Sequence, residues 1–102
     1  MVNMLENLTA ASFADLVGSD FRLDPAEAGI TSLRLVEAKD VAGQYGTGPR
    51  RAPFTLLFRG PKSPLLSQRI YALVHATLGR LEIFLVPLGP DSDGIRYEAV
   101  FN

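Results

Sequence analysis

Apolar and polar residues alternate along most of this chain, the period-2 pattern of strands that lay one face on a core. From Asp20 to Leu23 the apolar pair is Phe21 and Leu23, and Pro25 and Gly29 are expected to end that strand in a loop. Between Thr31 and Lys39, Leu33 and Leu35 keep one phase before Val36 and Ala38 take over the apolar positions. A slip of one residue turns side chains to the other face, so a bulge is expected near Leu35–Val36. Phe54, Leu56 and Phe58 share a face up to Arg59, and Gly60, Pro61 and Pro64 break that run. Two further runs, Arg69 to Ala76 and Leu81 to Pro87, flank Thr77-Leu78-Gly79 and read as a hairpin. The turn Pro90-Asp91-Ser92-Asp93-Gly94 leads into Ile95, Tyr97, Ala99 and Phe101, a last strand whose apolar row reaches the penultimate residue.

One segment carries the helical period instead. Thr9 suits an N-cap, Leu8 and Phe13 suit a hydrophobic staple, and Phe13, Leu16 and Val17 share a face before Gly18. A helix of about nine residues is too short to stand alone and has to dock. Successive strands lie too close together for crossover helices, which argues against a parallel βαβ fold. The expected architecture is mainly β: a six-stranded antiparallel barrel or roll with one short N-terminal helix, or alternatively a two-sheet β-sandwich. The 102 residues form a single domain.

Three strands are apolar on both faces. Leu57 lies opposite the Phe54 row, Phe84 and Val86 opposite Leu81, Ile83 and Leu85, and Tyr71 and Leu73 opposite Ile70, Ala72 and Val74. A one-sided antiparallel sheet alternates more cleanly. The second face is therefore expected to be covered, by the helix, by the Gly- and Pro-rich stretch from Ala42 to Pro53, by a second subunit, or by the other layer of a closed sandwich. Tyr45, Arg50 and Arg51 in that stretch, with Leu57, Tyr71 and Phe84 on the strands, are the candidate partner contacts.

Composition narrows the chemistry. Ten Lys and Arg nearly balance eleven Asp and Glu, which argues against nucleic acid and against a polybasic membrane anchor. With no Cys and one His, thiolate chemistry and a multi-histidine metal site within one chain are excluded, and no cofactor is expected. No basic segment followed by an apolar stretch opens the sequence, so no signal peptide is visible and a cytoplasmic location is expected. His75 has no Gly-x-Ser-x-Gly elbow, and Ser63 and Ser67 have nothing to place them against it; it reads as a partly exposed residue at a strand end. Asp91-Ser92-Asp93-Gly94 lacks the distal Glu of a calcium loop and reads as a polar turn. Glu82 and Glu98 with Arg80 and Arg96 read as cross-strand ion pairs.

The stretch from residue 54 to residue 102 resembles a family of short bacterial proteins, a domain of unknown function. The resemblance rests on Phe54/Leu56/Phe58, Tyr71/Leu73/His75, Leu81-Glu82/Phe84/Val86-Pro87, Gly89-Pro90-Asp91 and the closing Arg96-to-Phe101 strand, with Leu8-Thr9 to Phe13 at the other end. The family carries no established activity. Its members tend to be encoded beside proteins with phage-tail-collar domains, which implies a tail-like structural or accessory role and a tail-collar-type partner. Sequence alone thus leads to a non-enzymatic protein-interaction or assembly module, expected to be a homo-oligomer. The alternative is a small-ligand-binding β-barrel.

Overall fold

The computed structural model describes residues 8–40 and 53–101. Helix α1 (Ala10–Ala14) is followed by β1 (Asp20–Glu27), β2 (Ile30–Asp40), β3 (Phe54–Gly60), β4 (Arg69–His75), β5 (Gly79–Asp91) and β6 (Gly94–Phe101). All pairings are antiparallel, and the order β1-β2-β3-β6-β5-β4 closes into one barrel. Closure removes the free edges that a roll or a sandwich would leave.

Inward positions carry the apolar row predicted for each strand. Phe21 and Leu23, Leu33 and Leu35, Phe54, Leu56 and Phe58, Leu81, Ile83 and Leu85, and Tyr97, Ala99 and Phe101 are all buried. In β4 the inner row is Tyr71, Leu73 and His75, leaving Ile70, Ala72 and Val74 outside. Two segments outside the strands complete the core. Phe13 of α1 lies 5.8 Å from the Phe54 ring and 6.2 Å from Phe101, and Phe54 stacks on Phe101 at 4.6 Å. The connection between β3 and β4 returns Leu66 to the core, where its amide donates to the Tyr97 hydroxyl at 3.0 Å.

The expected bulge is present: Leu35 pairs with Phe58 and Glu37 with Leu57, so Val36 is the extra residue. Its position is tied to the chain before β1, because Gly18 donates to the Leu35 carbonyl and Leu35 donates to the Ser19 carbonyl. Other boundaries differ from the expectation. The helix is a single turn and more, shorter than expected, and its cap works through Ser12 Oγ, which accepts from the Thr9 amide at 3.0 Å. β1 runs on through Pro25, because the register with β2 shifts between Arg22 and Glu27 and leaves that missing N–H without a ladder position to fill. A two-residue turn follows, with Ala28 and Gly29 both at positive φ, as a hairpin twisted with its strands requires. β5 extends past Pro87 to Asp91 because a register shift between Pro87 and Gly89 absorbs the interruption.

The ring is not uniform. β3 and β6 pair over seven positions, from Phe54↔Phe101 to Gly60↔Ile95. At the seam, β1 and β4 pair only at Arg22↔Val74 and Leu23↔Leu73. Beyond that the strands part around a depression of about 240 Å³, clipped by an Arg69–Glu27 ion pair at 2.7 Å.

Candidate functional site

Outward positions should be polar on a barrel in water, so outward apolar residues are the informative ones. Ile70 of β4 stands directly opposite Phe84 of β5. Carrying the Val86↔Glu98 register two residues further sets Phe84 level with Val100 of β6. These three side chains, 58%, 48% and 49% exposed respectively, form a row across three strands. Half-buried Val86 and Leu57 flank it on the next row, on either side of Glu98. Thr55, Glu82 and Glu98 give it a polar rim. Among the described residues nothing covers this row. Of the covers considered, α1 is not the one, since it contributes Phe13 to the interior.

Of the residues expected to meet a partner, Phe84 is exposed on this row and Leu57 lies beside it, half-buried. Tyr71 is a correction: it points into the barrel, 4% exposed, and its hydroxyl donates to the Ser67 carbonyl at 2.6 Å. The reason is phase, because Tyr71 shares the inner face with Leu73 while Ile70 takes the outer one. The Arg69 guanidinium lies 4.3 Å from the centre of the Tyr71 ring, a cation–π contact that further occupies it. Tyr45, Arg50 and Arg51 lie outside the described residues. Ile70 and Val100 were missed as contacts; Val100 could have been found as an apolar residue in the Arg96–Glu98 phase of its strand, whereas Ile70 lies in a strand apolar in both phases.

His75 is 6% exposed, not the partly exposed residue expected, and it packs against Phe21 at 4.6 Å between ring centres. Nδ1 accepts from the Thr77 amide at 3.0 Å, so the ring proton belongs on Nε2. Nε2 faces Ser19 Oγ at 3.0 Å, and that hydroxyl donates to the Leu16 carbonyl at 2.5 Å. Protons in this chain run from imidazole to serine to backbone, the reverse of what a general base would need. The arrangement clips the end of β4 to the turn after α1.

A second outward row carries charge. Arg34 of β2 pairs with Arg59 of β3, and Arg59 with Arg96 of β6, so three arginines take neighbouring positions on adjacent strands. Asp91 divides them: its Oδ2 accepts from Arg59 at 2.7 Å and lies 4.0 Å from Arg96 Nε. The Arg59 hydrogen bond, helped by the Asp93 amide on the other oxygen, holds the Asp91 carboxyl below the usual aspartate range. Arg59 Nε and Arg96 Nε are shielded from solvent yet meet no acceptor among the described residues. An orphaned donor of this kind costs about 1–3 kcal/mol, more when charged. Next to Arg34 and Arg59 opens a groove of about 380 Å³, lined also by Gly60, Pro61 and Asp93. The ion pairs expected from Arg80 and Arg96 to Glu82 and Glu98 are not the ones formed. Arg80 reaches across the seam to Asp24 at 2.7 Å, and Arg96 turns to Asp91.

Among the described residues no cluster of three or more His, Asp or Glu suits a metal ion, and no helix is long and apolar enough to cross a membrane. A family model, "Domain of unknown function (DUF6916)", matches residues 8–101. Neither the curated proteins nor the solved structures yield a match to this chain.

Proposed function

The chain belongs to this family of domains of unknown function, whose description assigns no activity, and from its surface we propose a non-enzymatic interaction and assembly module that pairs with a second copy of itself. The observation that supports this is the Ile70–Phe84–Val100 row. An apolar patch rimmed by polar residues marks an association surface, and the same patch on two copies is self-complementary about a two-fold axis. The interior supports this reading over a ligand-binding barrel, because Phe13, Phe21, Phe54, Phe58 and Phe101 pack together there with ring centres 4.6–6.4 Å apart. The same module would serve as an accessory of a phage-tail-like assembly in the cytoplasm of a bacterium, with a tail-collar-type protein as a further partner; support for that extension is the sequence resemblance alone.

Light scattering coupled to size-exclusion chromatography tests the pairing. Wild type is expected at a multiple of 11.1 kDa, and Phe84→Glu at 11.1 kDa with an unchanged circular dichroism spectrum. Wild type eluting as an 11.1 kDa monomer at high concentration overturns it.

A further inference from the structure

Like charges placed directly opposite each other weaken a sheet, so three arginines abreast across β2, β3 and β6 need an anion among them. Asp91 is one, bonded through one oxygen to Arg59 and through the other to the Asp93 amide, and Asp20 lies beside Arg34 as another. What remains is donor capacity. Each guanidinium offers five N–H groups in a fixed fork. Arg34, 63% exposed, has among the described residues only Asp20 as an ion-pair partner, at 3.6 Å, beyond hydrogen-bond length. Arg59 lines the groove and gives one N–H to Asp91; its Nε, shielded from solvent, does not count toward a ligand. Arg96 leans on the same carboxylate and is not among the residues that line the groove. The groove beside Arg34 and Arg59, about 380 Å³, is of a size to admit a small polar group with its attachment.

We propose that this groove binds an oxyanion, held bidentately between Arg34 and Arg59 over Gly60 and Pro61. Guanidinium forks match the paired oxygens of carboxylate and phosphate and not a spherical halide. Asp93, on the groove wall, opposes any anion and limits the site to ligands that gain hydrogen bonds as well as charge. The oxyanion has two sources of the same chemistry: free phosphate, or the carboxylate of an acidic polypeptide segment.

The test is a ¹H–¹⁵N titration that reads the arginine Nε–H signals and the Gly60 amide. One arm adds sodium phosphate, another acetyl-triglutamyl-amide, and a third sodium chloride at matched ionic strength. Saturable shifts in either of the first two arms and none with chloride are expected, and the arm that responds names the source. Arg34→Gln should weaken binding about tenfold, and Asp93→Asn should tighten it about threefold by removing one like charge. Flat phosphate and glutamate arms, equal shifts with chloride, or a response that survives Arg34→Gln unchanged overturns the proposal.

Discussion

Two rows of outward side chains cross the wall of this barrel, and β6 contributes to both, Arg96 to one and Val100 to the other. At a rise of about 3.3 Å per residue they lie about 13 Å apart on the same strand. The apolar row has no partner among the described residues and gains by losing water. The arginine row is partly neutralised by Asp91 and Asp20 and gains by acquiring acceptors. The apolar row interrupts the polar pattern that a solvated barrel face should show, whereas the arginine row keeps that pattern but sets like charges on neighbouring strands. The difference teaches that an exposed row has to be judged by what its atoms still lack: for Ile70, Phe84 and Val100 that is apolar cover, and for Arg34, Arg59 and Arg96 it is oxygen. Salt separates the two. Raising sodium chloride should leave association through the apolar row intact and weaken anything held on the arginines.

The sharpest break in the comparison is between the two sides of the wall. Phe101 is the inner neighbour of Val100 and stacks on Phe54. Phe101→Ala should cost about 3–5 kcal/mol through lost transfer energy and a cavity, while Val100→Ser should stay within about 0.5 kcal/mol; urea melts of both variants under conditions that keep them monomeric decide it. Tyr97→Phe comes next. It strands the buried Leu66 amide and should cost about 1–3 kcal/mol in the same assay. Smaller again is the acid response of the arginine row. Asp91 has its folded pKa below the unfolded value of about 3.9. Its contribution is therefore complete above that value and disappears as pH falls through the folded one. Urea midpoints from pH 6 to pH 2.5 should fall less steeply in Asp91→Asn than in wild type. Smallest is Phe84→Ser, which should shift monomer stability by no more than about 0.5 kcal/mol while lowering the associated fraction seen by light scattering.

Much of the fold was legible because the strands follow period 2 with few exceptions. Phe54, Leu56 and Phe58 or Tyr97, Ala99 and Phe101 could face only one way, and the slip at Leu35–Val36 announced its bulge. Barrel and sandwich were not separable, because both bury the same inner rows and the choice lies in whether β1 meets β4. Pro25 and Pro87 misled for a common reason: each sits where the register shifts, so the strand passes through it. The surface was harder. β4 is apolar in both phases, and nothing local distinguishes Tyr71 inside from Ile70 outside until its neighbours fix the register. The arginine row was illegible, since Arg34, Arg59 and Arg96 come from distant stretches and meet only through pairing.

The short seam has a kinetic consequence. β5 and β6 turn back between Asp91 and Gly94, and β4 and β5 between His75 and Gly79, so these hairpins bring near neighbours together. The seam joins Leu23 to Leu73 and Arg22 to Val74, separations of 50 and 52 residues. Chain entropy lost in closing a loop rises with its length, and non-local pairings are the slow ones. The ring should therefore assemble as an open sheet led by its hairpins and zip shut at β1–β4 last. By the same logic it should open there first, so native-state amide exchange is expected to be faster at Leu23 and Leu73 than along the seven-position ladder of β3 and β6.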